Sequence, residues 1–116
     1  MSIQTQISFI EAVINSGYIL TDIGFMHLST KKKGFATYIS YERNSTLISI
    51  WLGPSDWNVE TSILSKKRKY EFKDLLEIPS ILQWTANNKF LKSSNDRIYD
   101  EVIWHMKFIT YSLTQI

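Results

Sequence analysis

The chain has 116 residues and a net charge of +2, from 13 Lys+Arg against 11 Asp+Glu, and it contains no cysteine. This length is typical of one domain, so we expect residues 1–116 to form a single domain. The absence of cysteine excludes a disulfide scaffold, a Cys-ligated zinc module and a cysteine nucleophile, and the small net charge argues against a strongly cationic arm.

The sequence shows no export or membrane signal. The first residues lack the basic stretch of a signal peptide, and the apolar stretch that follows is interrupted by Ser8 and Glu11. No window approaches the roughly 18 consecutive apolar residues of a membrane span. We therefore expect a cytoplasmic protein that does not bind a membrane.

The first half of the chain predicts one helix followed by a meander of strands. Residues 4–16 place Ile7, Ile10 and Ile14 at helical spacing, and Gly17 follows where a glycine commonly closes a helix. From Tyr18 the apolar period changes to two, which is typical of strands. The predicted strands cover residues 18–26, 34–43, 46–52, 57–65 and 68–72.

Three polar turns, at residues 44–45, 53–56 and 66–67, set the registers of this meander. The first turn places Tyr38 opposite Trp51, and the second places Leu52 opposite Trp57. Because opposed residues of an antiparallel pair share a face, all three turns direct the same residues inward. These are Phe35, Ile39, Tyr41, Ile48, Ile50, Leu52, Trp57, Val59, Ile63, Tyr70 and Phe72, with Ile19, Ile23 and Phe25 on the first strand.

The second half of the chain predicts helices. Pro79 suits the first turn of a helix that runs to about Asn87. Residues 96–113 form the clearest helix, and its broad apolar face indicates that it is heavily buried or meets a partner. The predicted fold is α+β: an N-terminal helix, about five antiparallel strands in a meander, and C-terminal helices packed on one face of the sheet. The other face would then be bare.

The outward side chains of the sheet are the main candidates for function. They combine four carboxylates with the opposed aromatic pair Tyr38 and Trp51, a composition typical of protein interfaces. A solvated face, or a face covered by the helix around Trp84, would explain the same pattern. The predicted outward set is Tyr18, Leu20, Asp22, Tyr38, Ser40, Glu42, Leu47, Ser49, Trp51, Asn58, Glu60, Ser62, Leu64 and Glu71.

Two basic runs, at residues 31–33 and 66–69, could contact the phosphates of a nucleic acid. The predicted meander places them at opposite ends of the sheet, with the acidic face between them. We therefore interpret both runs as solvated turns and expect no nucleic-acid partner.

The sequence contains no motif for catalysis or metal binding. His27 and His105 are the two histidines, and no HxH or HExxH pattern occurs. Glu101 and His105 could meet on one helix face, which indicates a surface contact or a half-buried histidine rather than a general base. We expect no enzymatic activity, no catalytic residue, no metal and no cofactor.

Several segments follow one another in an order that resembles a known class of protein. An opening helix ends at Ser16-Gly17, the strand at residues 39–43 pairs with residues 47–52, and a strand begins at residues 57–60. Residues 70–76 and a closing helix complete the layout. It resembles the small bacterial immunity proteins, the cytoplasmic antidotes of contact-dependent and other polymorphic toxins.

The resemblance implies a non-enzymatic protein that binds one cognate toxin domain tightly. Many such toxins attack nucleic acid and carry basic clefts, which an acidic and aromatic face could occupy. We expect Tyr38 and Trp51 to anchor the partner, with Asp22, Glu42, Asn58 and Glu60 as polar contacts. The alternatives are a nucleic-acid-associated protein that uses the Lys-rich turns, and a small ligand-binding domain.

Overall fold

The structure is a computed structural model that describes residues 3–34, 36–53, 58–90 and 96–116. It contains a five-stranded antiparallel sheet with helices before and after it. The strands are neighbours in chain order, which makes the sheet a meander. The predicted α+β fold is confirmed. The elements are α1 (Ile3–Ser16), α2 (Tyr18–Thr21), β1 (Met26–Lys33), β2 (Ala36–Arg43), β3 (Thr46–Leu52), β4 (Val59–Ser65), β5 (Arg68–Glu71), α3 (Phe72–Leu75), α4 (Pro79–Asn87) and α5 (Arg97–Leu113).

Two of the three predicted turns have the predicted form. Asn44 has a positive φ of 54°, and Lys66 and Lys67 have φ values of 53° and 65°, the backbone that two-residue hairpins favour. The β2–β3 register pairs Tyr38 with Trp51, and the β4–β5 register pairs Ile63 with Tyr70, as predicted.

The β3–β4 connection is longer than predicted. Leu52 pairs with Val59 rather than with Trp57, so the register differs from the prediction by two residues. The Gly53 backbone N–H donates to the Asn58 carbonyl (2.9 Å), which closes the longer connection. A shift of two residues keeps every side chain on its predicted face, because the side-chain period of a strand is two. Phe35 and Trp57, both predicted to point inward, lie outside the described residues.

The predicted first strand, residues 18–26, is wrong. The chain instead forms α2, turns at Gly24 (φ 96°) and enters β1 at Met26. Ile19 and Ile23 are also spaced as on a helix, so the apolar pattern fits both structures, and both residues pack against the core. Leu20, predicted to point outward, is fully buried.

The inner face of the sheet is the centre of the core. α1 and α5 pack against each other and onto this face, with Phe9, Val13, Val102 and Met106 fully buried. α5 therefore faces inward, and its apolar circumference is used in the core. The buried inward strand residues are Thr37, Ile39, Tyr41, Ile48, Ile50, Leu52, Val59, Thr61, Ile63 and Ser65.

No described helix covers the other side of the sheet. The outward side chains of the described strands are at least partly exposed, apart from Ala36 and Ser62. Trp84, which could have covered this side, instead stacks on Tyr111 of α5 with a centroid distance of 5.7 Å. The predicted bare face is thus present in the described part of the chain.

Gly17 has a packing role that differs from the predicted one. α1 does end at Ser16, but Gly17 has right-handed backbone angles (φ −59°, ψ −21°), so no left-handed cap is formed. A Cβ atom at this position would lie 2.7 Å from the hydroxyl oxygen of Tyr41. Tyr41 is buried, and burial raises the pKa of its hydroxyl above the ordinary value of 10.0. Glycine is required here for the close approach of the Tyr41 hydroxyl.

Replacing Gly17 by alanine should lower the free energy of unfolding by about 1–3 kcal/mol, the usual cost of overpacking. The sign is informative, because alanine adopts these backbone angles readily and would otherwise stabilise the chain by about 0.4–1 kcal/mol. Urea denaturation monitored by circular dichroism measures the change.

The control is the same Gly17→Ala substitution made in Tyr41→Phe protein, which lacks only the hydroxyl oxygen that the new Cβ would approach. In Tyr41→Phe protein the added Gly17→Ala substitution should be neutral or stabilising. An equal cost in both backgrounds would show that the hydroxyl is not the reason for glycine.

Candidate partner-binding face

The outer face, defined here as the outward side chains of β1–β5, is arranged in rows that cross the strands. The aromatic row consists of Lys31, Tyr38, Trp51 and Glu60, which are directly opposed on β1 to β4. The rings of Tyr38 and Trp51 stack with centroids 5.0 Å apart and an interplanar angle of 24°. Trp51 Nε1 donates a hydrogen bond to Glu60 Oε2 (3.0 Å).

These contacts hold two aromatic anchors in fixed positions. The tight turn at residues 44–45 sets the register that brings Tyr38 beside Trp51. A stacked pair of this kind contributes about 0.5–1.5 kcal/mol beyond its buried area. Both rings are half-buried, so each keeps exposed surface for a partner.

A row of serines lies next to the aromatic row. Ser29, Ser40, Ser49 and Ser62 are opposed in sequence from β1 to β4, and the hydroxyl oxygens of Ser40 and Ser49 are 3.4 Å apart. Ser62 is only 8% exposed. The sequence prediction included three of these serines as outward residues. It missed the row, because Ser29 lies in a strand that was not predicted.

A third row flanks the serines on their other side. It consists of Met26, Glu42, Leu47, Leu64 and Lys69. Met26 is 71% exposed and Leu64 is 40% exposed. Because serine is much smaller than the residues of either flanking row, the serine row forms the floor of a shallow channel across the sheet.

Charge on the outer face is divided between the centre and the edges. The outward positions of β2, β3 and β4 contain Glu42 and Glu60 and no lysine or arginine. Arg97 and Glu101 form the one salt bridge found among the described residues, so neither of these glutamates is neutralised by an ion pair there. The cations of the outer face lie on its outermost strands, with Lys31 and Lys33 on β1 and Lys69 on β5, which also contains the outward carboxylate of Glu71.

The prediction that both basic runs lie in turns is largely wrong, because most of their residues lie on edge strands. Residues 31–33 end β1, and residues 68–69 begin β5. Lysine on an edge strand hinders the addition of a further strand from another molecule. The runs do occupy opposite ends of the sheet, as expected, and because they also lie on its two opposite edge strands they do not form one continuous basic patch.

The structure places the six predicted contact residues in different settings. Tyr38, Trp51, Glu42 and Glu60 share the outer face. Asn58 precedes β4, and its Oδ1 accepts a hydrogen bond from Arg97 Nη2 of α5 (2.8 Å). The strand that was predicted to contain Asp22 is not formed, and Asp22 lies exposed in the turn after α2. The outer face therefore brings together the aromatic pair and two glutamates.

Glu101 and His105 are one helical turn apart on α5 but have separate partners. Glu101 Oε1 is 3.0 Å from Arg97 Nη2, and Glu101 Oε2 accepts the Val59 backbone N–H (3.1 Å). His105 is buried, with its Nδ1 2.9 Å from Thr61 Oγ1. Desolvation lowers the pKa of His105 to about 4. This histidine joins α5 to β4 within the core. Of the two predicted alternatives, a surface contact with Glu101 or a half-buried histidine, the structure shows a buried and hydrogen-bonded histidine, with no hydrogen bond or ion pair between His105 and Glu101.

The described residues offer no grouping of three or more His, Asp or Glu side chains that could hold a metal ion. Among the helices that the structure describes, none has the length and apolar character needed to cross a membrane.

A cavity of about 670 Å³ lies between α4 and α5. It is lined by Trp84, Tyr99 and Trp104, with Asp100 and Lys107 among its polar residues.

Comparison with known proteins gives no match: no family model, no curated protein and no solved structure is significantly similar to the chain.

The buried His105 predicts a specific pH dependence of stability. Its pKa is about 4 in the folded chain against about 6.5 in an unfolded one, so unfolding takes up a proton between these values. The contribution of neutral His105 to the free energy of unfolding is fully present at pH 7. It is lost as the pH falls from 6.5 to 4, and the total loss is about 3 kcal/mol. His105→Gln protein should lack this part of the slope in urea denaturation.

His27→Gln is the matched control, because it removes the other histidine, which is exposed on β1. It should leave the slope in place. An unchanged slope in His105→Gln protein would contradict the assignment.

Proposed function

We propose that the protein is a non-enzymatic immunity protein, which neutralises a cognate bacterial toxin domain by binding it on the outer face. The observation that carries this proposal is an uncovered sheet face centred on the stacked Tyr38 and Trp51 rings. The proposal includes a cytoplasmic location, since an antidote of this kind meets its toxin inside the cell.

The aromatic pair has the properties of a binding hot spot. Tryptophan and tyrosine supply large contact areas, and they are the residues most enriched among those whose removal costs a complex 2 kcal/mol or more. The Trp51 ring is held by Tyr38 on one side and by Glu60 at its Nε1 atom. A side chain that is already fixed loses little conformational entropy on binding.

Charge indicates what kind of partner would fit. Glu42 and Glu60 flank the serine channel without ion-pair partners among the described residues, so a basic protein surface would complement the centre of the face. A toxin domain that acts on nucleic acid must itself bind phosphates and therefore carries such a surface. We assign the partner to this class.

A second candidate is the binding of single-stranded nucleic acid. It is favoured by the position of Lys31, which lies directly opposite Tyr38 and so places a cation beside exposed rings. Stacking on aromatic side chains beside basic residues is the usual mode of such binding. The carboxylates of Glu42 and Glu60 on the same face oppose it, because they repel phosphate.

Trp51→Ala should weaken the complex with the toxin by about 30-fold or more, which corresponds to roughly 2 kcal/mol. Tyr38→Ala should weaken it in the same direction, because the pair is stacked. The proposal predicts that a large secreted protein is encoded next to this chain; its C-terminal domain would be the binding partner for the experiment, and isothermal titration calorimetry would measure the affinity.

Tyr18→Ala is the matched control, because Tyr18 is an exposed aromatic residue (58%) that lies on α2 and is not part of the outer face of the strands. It should leave the affinity unchanged. The proposal fails if folded Trp51→Ala and Tyr38→Ala proteins bind as tightly as the unaltered chain, or if no such neighbouring toxin exists. Salt-dependent binding of single-stranded DNA that Trp51→Ala abolishes would favour the second candidate instead.

A further inference from the structure

A cavity of about 520 Å³ adjoins the aromatic row at the place where β5 ends. β5 has four residues and pairs only with residues 62–65 of β4. Residues 59–61 of β4 extend beyond it, while the chain turns away into α3. The lining residues are Trp51, Asn58, Val59, Glu60, Thr61, Glu71, Phe72, Lys73 and Leu76.

The floor of this cavity, taken here as Val59, Thr61, Phe72 and Leu76, is largely apolar, and two of its polar groups already have partners. Val59, Phe72 and Leu76 supply apolar surface. The Val59 backbone N–H is bound by Glu101, and the Thr61 hydroxyl by His105. The floor therefore favours an apolar group in a ligand.

The cavity also contains two carboxylates, those of Glu60 and Glu71. Glu71 is directly opposite Ser62, so Glu60 and Glu71 are diagonal neighbours on β4 and β5. Such positions lie about 7–8 Å apart, which leaves room for one planar cationic group between the two carboxylates. Glu60 Oε2 accepts from Trp51 Nε1, and Glu60 Oε1 has no hydrogen-bond partner among the described residues. The Glu71 carboxylate accepts the Asp74 backbone N–H in the capping box of α3, and its remaining acceptor positions are open to a ligand. Lys73 also lines the cavity and opposes a cation.

An apolar floor beside two carboxylates fits a side chain that has an apolar stem and a cationic head. Arginine fits better than lysine, because its planar guanidinium has five donors and can bond two carboxylates at once. We propose that this cavity binds an arginine side chain of the partner protein, with the stem on Leu76 and Phe72 and the guanidinium between Glu60 and Glu71. This inference rests on the proposed function for the source of the arginine.

The test uses the chain alone and the small probe N-acetyl-arginine amide, followed by ¹H–¹⁵N NMR. The expected result is saturable shifts of the Trp51 indole N–H and of the backbone amides of Glu60, Thr61 and Glu71. N-acetyl-citrulline amide, which has nearly the same shape without the charge, should bind at least about tenfold more weakly, because charged hydrogen bonds are the stronger ones.

Two variants give opposite expected changes. The Glu60→Gln/Glu71→Gln double variant should lose most of the binding, and Lys73→Gln should tighten it, because it removes a like charge from the cavity. Equal binding of citrulline, tighter binding of N-acetyl-lysine amide, shifts confined to other parts of the chain, or weaker binding by Lys73→Gln protein would each overturn the inference. Since no toxin is present, this result is separate from that of the partner experiment.

Discussion

The structure depends on the burial of one face of a meander sheet, because this single constraint decides where every strand residue points. α1 and α5 cover the inner face, where Ile48, Ile50 and Ile63 are fully buried. Since strand side chains alternate, burying these residues directs Tyr38, Trp51 and Glu60 to the opposite side. The core and the candidate binding face are thus two consequences of one register.

The outer face was predictable to the extent that short turns and parity determine it. The turn at residues 44–45 is short and its Asn44 adopts a positive φ, which asparagine tolerates, so the pairing of Tyr38 with Trp51 followed directly. The β3–β4 pairing was displaced by two residues, because nothing in residues 53–58 marks where the ladder resumes. The predicted faces were still correct, because a register shift of two residues leaves each side chain on the same face of the sheet.

The structural features that the sequence patterns did not predict depend on tertiary contacts. Residues 18–25 fit a strand and a helix equally by pattern, and packing of Leu20 and Phe25 into the core selected the helix and turn. β1 was not predicted because it is an edge strand exposed on both faces, so its sequence has no alternation of apolar and polar residues. Its lysines at residues 31–33 are also typical of a loop. The serine row, the setting of Asn58 beside Arg97 and the cavity after β5 all follow from pairings between distant segments.

The net charge of +2 combines two local patterns of opposite sign. The cations of Lys31, Lys33 and Lys69 lie on the edge strands, where they hinder the addition of strands and so limit self-association. The carboxylates of Glu42 and Glu60 lie on the middle strands, where no edge needs protection. An exposed carboxylate without an ion-pair partner adds little electrostatic stabilisation to the chain by itself, because even exposed ion pairs are worth little. It can contribute much more when a basic partner removes it from water, which is why the central glutamates and the edge lysines are best understood as serving different purposes.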